Sequence, residues 1–343
     1  MRLPIASWPS PAAWLTLLVL ATLGQGQGLS ATTNFTTWWN STNYPQEQAS
    51  NVTKYIAEGI EVAGQDLYHH FQHRCIRQQI YPALASGGQS PGFVKPHRPF
   101  DSVFFVGSGF VSAWAVDTGA GLLLIDALNN PDEARTVILP GLASFGYSGA
   151  DIAAILITHE HADHYGGARY LQDTFDTPVY ALGACWDGIE HDPIRPEGLD
   201  IPVRNETLKD GQDLTVGNTT IHIVATPGHT AGTVSFFLPV YDRGVRHVAG
   251  LYGGGGIPKS VSLKEQQIAS FAKFASSAAA RGADVLMSNH ASQDDSLVNF
   301  DILDHRSTEN PFVIGTDAYV RYLQTMAICV RVQAARLGET LSV

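Results

Sequence analysis

The stretch that most restricts how this chain can fold is an apolar run followed at once by metal-binding side chains. Residues 152–158 read IAAILIT, which is typical of a short buried strand, and the next six residues read HEHADH. Residues two apart point the same way at a strand end, so His159 and His161 can face one point. Asp163 and His164 follow directly and can serve a second ion. Because zinc takes imidazole and carboxylate ligands, the pattern predicts a metal site where this strand ends.

Two more histidines occur where an apolar segment ends. His229 follows a strand-like segment and a Pro-Gly turn in VATPGHTAGT, and His290 follows another such segment in VLMSNHASQDD. Active sites of layered α/β folds gather at strand ends, so we expect both side chains to join the cluster. The other histidines lack this setting, and we interpret them as surface or packing residues. Three come from HHFQH on a predicted helix: His69, His70 and His73. The rest are isolated: His97, His191, His222, His247 and His305.

The order of the predicted elements indicates the fold class. Strand pairs come first, from Phe100 onward; helices then alternate with strands, and the pattern recurs. We therefore predict an α/β protein, an αββα sandwich of two mixed β-sheets with external helices. The predicted main domain covers residues 99–306, after a partly helical N-terminal extension over 31–98 and before a C-terminal helix over 307–343 that packs on the domain.

Three motifs together carry a resemblance to a known family. The chain has His-x-His-x-Asp-His at 159–164 with Gly166-Gly167 after it, then TPGHTAGT, then SNHAS, in this order within about residues 100–304. It resembles the metallo-β-lactamase superfamily and is most similar to the di-zinc lactamase subclass, as a secreted eukaryotic, fungal-like member. The resemblance implies two Zn²⁺ ions per chain, one held by His159, His161 and His229 and the other by Asp163, His164 and His290.

The same resemblance implies a function. It predicts a zinc-dependent hydrolase that opens a lactam or lactone ring by attack of a metal-bridging hydroxide, with Asp163 orienting the nucleophile as the catalytic residue. The small-molecule substrate is not identified by the sequence. Two alternatives stay open: an acyl-thioester or ester hydrolase of secondary metabolism, and a secreted metal-binding protein without turnover.

One departure from the family pattern bears on these alternatives. Many superfamily members, including glyoxalase-type thioesterases and phosphodiesterases, carry an aspartate that bridges both metals between the second and third motifs. Here that region reads RHVAGLYGGGGIPKS, over residues 246–260, and contains no acid. The departure weakens the glyoxalase and phosphodiesterase interpretations without excluding thioester cleavage.

Residues of the same region are candidates for the substrate pocket. We expect Tyr252 to border the site, and Tyr165 to line an apolar wall of it. Trp186 is equally compatible with that wall and with the core. The run Gly253–Gly256 is either a mobile loop, a loop that other groups approach closely, or a plain connector.

The beginning of the chain predicts secretion. Arg2, an apolar stretch from about residue 12 to 23 and a small, polar segment have the layout of a signal peptide over residues 1–30, too short to span a bilayer. We therefore expect an extracellular protein without stable membrane association after cleavage. Sequons agree with this, and the predicted glycosylation sites are Asn34, Asn40, Asn51, Asn205 and Asn218.

Cysteines and charge complete the expectations. Three cysteines permit one disulfide in an oxidising compartment; several pairings are possible, and we favour Cys75–Cys329, which would tie the extension to the last helix and leave Cys185 over. The net charge is −11 and no basic stripe is visible, so nucleic acid is not an expected partner.

Overall fold

Two β-sheets, one of seven strands and one of five, form the centre of this protein. The computed structural model describes residues 42–82, 85, 94–306 and 309–343. The predicted signal peptide, residues 1–30, therefore lies outside the described residues. So do parts of the predicted extension, together with Asn34 and Asn40.

The seven-stranded sheet keeps its strands in chain order. β1 to β4 pair antiparallel, and β4 to β7 pair parallel. Parallel neighbours need crossover connections, which is why helices begin to alternate with strands after β4. The strands are β1 His97–Phe100, β2 Val103–Phe105, β3 Trp114–Asp117, β4 Leu122–Ile125, β5 Ile152–Leu156, β6 Val179–Leu182 and β7 Glu206–Leu208.

The five-stranded sheet has the order β12-β11-β10-β9-β8. Strands β8 to β11 pair antiparallel with their neighbours, and β12 lies parallel to β11. The strands are β8 Asp213–Val216, β9 Thr219–Ala225, β10 Val234–Asp242, β11 Val245–Leu251 and β12 Val285–Met287.

Helices precede the sandwich, cross between its strands and close the chain. Two stretches with π-helical geometry, Gln72–Arg77 and Ala134–Ile138, and a 3₁₀ turn, Gly149–Asp151, interrupt or precede regular elements. The α-helices are α1 Ala49–Ala63, α2 Tyr68–Phe71, α3 Gln78–Ile80, α4 Pro131–Glu133, α5 Leu139–Ala143, α6 Ala162–Tyr165, α7 Ala168–Phe175, α8 Gly183–His191, α9 Val261–Arg281, α10 Ser296–His305 and α11 Thr316–Arg336.

Strand β10 shows how the layers pack. Val234, Phe236 and Leu238 belong to the core that includes residues of both sheets. Phe237 belongs to a second core and stacks on Phe274 of α9, with ring centroids 4.3 Å apart. Since alternate side chains of a strand point to opposite faces, both faces of β10 are covered. The strand is apolar almost throughout because one face meets the other sheet and the opposite face meets helices. This is the predicted αββα sandwich.

The N-terminal helices pack on the same second core. Leu67 and Phe71 are buried there with side chains of α9 and α11. The predicted disulfide is present: the Sγ atoms of Cys75 and Cys329 are 1.99 Å apart, while Cys185 is a buried free thiol. The described residues from 42 onward belong to one compact unit, so the described part of the extension and the last helix fold together with the sandwich.

Three of the predicted glycosylation sites fall within the described residues. Asn51, Asn205 and Asn218 are all exposed, and Asn218 lies in the turn between β8 and β9. Their glycosylation stays a prediction. Within the described part of the chain, no helix has the length and apolar character to cross a bilayer.

Candidate metal centre

Three histidines meet above the ends of β5 and β9. His159 and His161 follow β5, and His229 follows β9. His159 Nε2 lies 3.2 Å from His161 Nδ1, and His229 Nε2 lies 3.1 Å from the same atom. The ligand atoms of all three lie within 4.8 Å of one another. The structure therefore brings together the first predicted group of ligands.

Hydrogen bonds on the far side of two of these rings fix which nitrogen carries the proton. His229 Nδ1 lies 2.8 Å from the Gly256 carbonyl oxygen, which can only accept, so Nδ1 donates. His159 Nδ1 lies 3.2 Å from Thr158 Oγ1, whose own proton goes to Asp126 Oδ2 at 2.8 Å. Both histidines therefore direct an unprotonated Nε2 toward His161, as metal ligands do.

Asp163, His164 and His290 form the second group. Asp163 Oδ2 lies 3.5 Å from His164 Nε2 and 3.9 Å from His290 Nε2. His290 Nδ1 donates to the Phe110 carbonyl oxygen at 3.1 Å, which leaves its Nε2 unprotonated. His164 Nε2 is buried and has no hydrogen-bond partner among the described residues. A buried polar atom without a partner is unfavourable, so the second group also fits a metal ion.

Asp126, which the sequence analysis did not identify, supports both groups. It is fully buried directly after β4, with a left-handed backbone (φ 61°). Its Oδ1 accepts from the Thr158 amide at 2.8 Å, and its Oδ2 accepts from Thr158 Oγ1 and, at 2.7 Å, from His164 Nδ1. One carboxylate thus orients His164 directly and His159 through Thr158. In the sequence, Asp126 could have been recognised as an acid immediately after the apolar run LLLI.

Two other polar residues hold the ligand loops together. Glu160 accepts from Thr230 Oγ1 at 2.7 Å and from the Gly232 amide at 3.1 Å, which connects the loop after β5 to the loop after β9. Asn289, which precedes His290 in the chain, donates to the Gly253 carbonyl oxygen at 2.7 Å. Glu160, the acid between His159 and His161 in the first motif, therefore holds the loop after β5 against the loop after β9.

Burial keeps the first group neutral. It lowers the pKa of His159 well below its usual range, and neighbouring histidines lower it further. Burial also lowers the pKa of His161, and it lowers the pKa of His229 to about 3. Neutral imidazole is the form that binds a metal ion, so these three side chains are available as ligands at neutral pH.

The second group is electrostatically different. Burial would lower the pKa of His164, but the carboxylates of Asp163 and Asp126 outweigh burial and raise it. Burial lowers the pKa of His290 to about 4. Burial would raise the pKa of Asp163, yet the adjacent histidines His164 and His290 leave it lowered, so this carboxylate is ionised.

The loop Gly253–Gly256 is one that other groups approach closely. A Cβ atom at Gly253 would collide with the Val234 carbonyl oxygen, and one at Gly256 would collide with the His229 ring. Of the three possibilities left open by the sequence, close approach is therefore the one found. The loop also holds the carbonyl that orients His229.

The two tyrosines expected at the substrate pocket lie elsewhere. Tyr252 is 5% exposed and stacks on Phe271, with ring centroids 4.1 Å apart, so it belongs to the second core. Tyr165 is fully buried in the first core, as is Trp186. The predictions for Tyr252 and Tyr165 are therefore wrong. The cavity at the metal centre, of about 140 Å³, is instead lined by Arg74, Gln78, Phe110, His159, His229, Gly255, Gly256, His290, Ser292 and Gln293.

The HHFQH histidines pack as expected but also form a small cluster. His69 Nε2 lies 2.7 Å from Asp295 Oδ2, and His70 is buried with its ring edge toward Tyr322. The ligand atoms of His69, His70 and Asp295 lie within 4.8 Å of one another. Geometry alone thus gives a third group that an analysis of bound metal must distinguish from the first two.

Comparison with known proteins places this site in a family. The family model described as "Metallo-beta-lactamase superfamily" matches residues 106–243, which include five of the six predicted ligands. Hydroxyacylglutathione hydrolases are similar over short regions. The protein of Bdellovibrio bacteriovorus is 38% identical over 25% of this chain and 30% of its own length. That of Mesorhizobium japonicum is 35% identical over 33% of this chain and 42% of its own length. The chain thus spans less than half of these curated relatives.

Solved structures agree over a larger part of the chain. A subclass B3 metallo-β-lactamase of Bradyrhizobium japonicum superposes with a TM-score of 0.60 at 24% identity, covering 71% of this chain and 94% of that one. The native metallo-β-lactamase from Legionella gormanii gives a TM-score of 0.61 at 21% identity, covering 69% and 94%. At this identity the likeness establishes the fold. Residues 106–243 thus match the metallo-β-lactamase superfamily, and the αββα sandwich of the chain agrees with that match.

Proposed function

We propose that this protein is a secreted, zinc-dependent hydrolase that cleaves an amide or ester bond, most favourably in a lactam or lactone ring. The observation that carries the proposal is the pair of adjacent ligand groups, His159, His161 and His229 beside Asp163, His164 and His290. The rings of His159 and His164, one from each group, have centroids 4.0 Å apart, and the buried carboxylate of Asp126 supports both groups.

The donor sets fit zinc. Three imidazoles, and two imidazoles with one carboxylate, are ligand sets that zinc accepts. When bound, zinc would act as a Lewis acid on the substrate carbonyl oxygen and bring the pKa of water near neutrality. The chain supplies hydrogen-bond acceptors for the Nδ1 atoms of four of these ligands: Thr158 Oγ1, Asp126 Oδ2, and the carbonyl oxygens of Gly256 and Phe110.

Asp163 is the residue to which we assign the positioning of the attacking water. Its carboxylate is ionised, a quarter exposed and lies 3.5 Å from His164 Nε2 and 3.9 Å from His290 Nε2. An ionised carboxylate there can accept a hydrogen bond from water and orient its lone pair toward the scissile carbonyl carbon. The proton released on attack can pass to the same carboxylate and then to the leaving nitrogen, oxygen or sulfur.

Two observations bear on the bond that is cleaved. Among the described residues, Asp163 is the only carboxylate that belongs to either group, since the loop after β11 contributes glycines and no acid. This favours a lactam or lactone. Similarity to hydroxyacylglutathione hydrolases supports a second candidate, hydrolysis of an acyl thioester.

Secretion is part of the proposal. The Cys75–Cys329 bond needs an oxidising compartment, and three exposed sequons fit the same environment. Treatment of the expressed protein with an N-glycosidase should reduce its mass if these sites carry glycans.

Hydrolysis of a substrate panel tests the function. Purified, zinc-reconstituted protein is assayed with nitrocefin, simple lactones and acyl thioesters, before and after treatment with a chelator. We expect ring-opening turnover that the chelator abolishes and added zinc restores. Turnover that a chelator does not affect would contradict the proposal, and so would zinc-loaded protein that hydrolyses none of the three classes.

A further inference from the structure

The third group, His69, His70 and Asp295, connects the N-terminal helices to the sandwich. Both histidines belong to α2, and Asp295 directly precedes α10, so all three are outside the residues that the family model matches. Their ligand atoms lie within 4.8 Å of one another. They line a cavity of about 250 Å³ whose lining includes none of the six ligands of the metal centre. The third group is therefore separate from the metal centre, and the family motifs do not account for it.

His70 is the member of the third group that lacks a polar partner. The residue is 7% exposed, and its ring contacts two other rings, His69 and Tyr322, at centroid distances of 4.0 and 5.0 Å. Among the described residues, none makes a hydrogen bond with either ring nitrogen of His70. A buried polar group without a partner is unfavourable, and a metal ion bound to the nitrogen lone pair would satisfy it. Since a ring nitrogen of His70 is one of the clustered ligand atoms, this unsatisfied side chain faces the group.

The charge of the third group suits a divalent cation. Burial, together with the neighbouring His69, lowers the pKa of His70 to about 4, so this ring is neutral at neutral pH. Burial would raise the pKa of Asp295, but the hydrogen bond from His69 and the adjacent histidines leave it lowered, so this carboxylate is ionised. His69 Nε2 lies 2.7 Å from Asp295 Oδ2, close enough for one ion to bind both atoms in place of the shared proton.

The surroundings of the third group favour copper over zinc. In the metal centre, hydrogen bonds behind the histidine rings fix the directions of the ligands. No such bond within the described chain orients the rings of His69 and His70, and the side chains of His69 and Asp295 are 52% and 35% exposed. A site that does not impose a geometry follows the intrinsic order of affinities, in which Cu²⁺ binds nitrogen and oxygen ligands more tightly than Zn²⁺.

From these observations we propose that His69, His70 and Asp295 form a second, peripheral metal site that takes Cu²⁺ in preference to Zn²⁺. Water completes the coordination on the exposed side. Because α2 belongs to the N-terminal extension and Asp295 leads into α10 of the main domain, a bound ion joins the two and should raise the melting temperature. The site is independent of the proposed hydrolase, since it shares no ligand with the metal centre.

Copper titration of the zinc-loaded protein tests this site without requiring turnover. The protein carries no histidine tag, and Cu²⁺ is added to material whose two zinc ions have been verified by elemental analysis. We expect one Cu²⁺ per chain to bind while both zinc ions stay. Electron paramagnetic resonance should show splitting of the copper signal by two imidazole nitrogens. Excess zinc in place of copper should leave no third zinc ion on the protein after gel filtration.

Variants separate this site from copper bound to scattered histidines. His69→Ala removes an exposed ligand, and Asp295→Asn removes the charge with a residue that tolerates the left-handed backbone at this position (φ 53°). Each should raise the Kd for copper about 100-fold or more, since loss of even a supporting partner costs about 10–100-fold in metal affinity. His222→Ala is the matched control, because His222 Nδ1 also lies 2.7 Å from a carboxylate oxygen, that of Asp213, but without a second imidazole. It should bind copper as the wild type does.

The outcomes distinguish this site from the metal centre. Copper that enters only by displacing zinc would overturn the inference, as would copper that binds His69→Ala and Asp295→Asn as tightly as the wild type. A third zinc ion held as firmly as copper would overturn the preference. Copper binding that depends on His69 and Asp295, in a protein that hydrolyses no member of the substrate panel, would support this site and count against the hydrolase.

Discussion

The two ligand groups differ in chemistry although they lie side by side. The first contains only imidazoles, and burial keeps their pKa values low. The second contains the ionised carboxylate of Asp163 and an imidazole, His164, whose pKa two carboxylates raise. The first group is therefore ready to bind a metal ion over a wide pH range, whereas in the second, protons compete for His164 at a higher pH than for an ordinary histidine. We infer that the first group is the anchor of the centre and the second is its adjustable half.

Removing a ligand of the first group should have the largest effect. His229→Ala leaves His159 and His161, and two imidazoles hold zinc too weakly to keep it. Since metal ions supply several kcal/mol of transition-state stabilisation, kcat/KM should fall by roughly 10³-fold or more. Steady-state kinetics and zinc analysis of the purified variant measure the change.

His191→Ala provides the control, since this histidine is exposed at the end of α8 and belongs to neither ligand group. It should leave both zinc content and kinetics unchanged. A His229→Ala protein with full activity would contradict the inference that the first group binds its metal ion more firmly than the second.

Removing the carboxylate of the second group should have the next largest effect. Asp163→Ala should lose one ion, keep the other and reduce kcat by about 10²-fold or more, because water positioning is lost while the anchor remains. Asp173→Ala, a change to an exposed acid on α7, should match the wild type. A variant at Asp163 that retains two ions would show that the two groups are not separable in this way.

The carboxylate shared by both groups should have a smaller effect on metal affinity. Asp126→Asn keeps the size of the side chain but weakens the acceptor for Thr158 and His164. Loss of such a supporting interaction typically reduces metal affinity about 10–100-fold, so competition with a zinc chelator should show a drop in that range. Asp132→Asn, at an exposed acid, is the control. Unchanged affinity in the Asp126 variant would contradict its supporting role.

Acidification should separate the two groups with the smallest change to the protein. A raised pKa means that His164 takes up protons at a higher pH than an ordinary histidine, at about 6.5, so the second ion should leave first as the pH falls. The pKa of His229, lowered to about 3, keeps the first group able to bind down to more acidic pH. Zinc content after dialysis between pH 7.5 and 4.5 should fall in two steps. The order would be contradicted if the zinc content of the wild type fell in a single step, at the pH at which the Asp163→Ala variant loses its remaining ion.

The sequence predicted which side chains come together because each stands in an unambiguous local setting. His159, His229 and His290 all follow a short apolar strand, and a strand end is a property of a few neighbouring residues. A C-terminal helix was likewise predicted within residues 307–343, and α11 covers Thr316–Arg336. Strand β11 was not predicted, since residues 246–260 were considered only as the region between two motifs.

What could not be predicted depends on contacts between distant parts of the chain. Tyr252 follows β11 directly, yet it points to α9 and packs in the core rather than toward the metal centre. Arg74 reaches the centre from a helix remote in sequence, where no local pattern distinguishes it from a surface arginine. Asp126 serves both groups only because β4 lies next to β5 in the sheet.

The most direct test of the account is zinc stoichiometry by elemental mass spectrometry on folded, reconstituted protein. The account predicts two zinc ions per chain in the wild type and in His69→Ala, and one in Asp163→Ala. It is contradicted if the wild type binds no stoichiometric zinc, or if zinc persists in His161→Ala/His229→Ala and disappears only in His69→Ala.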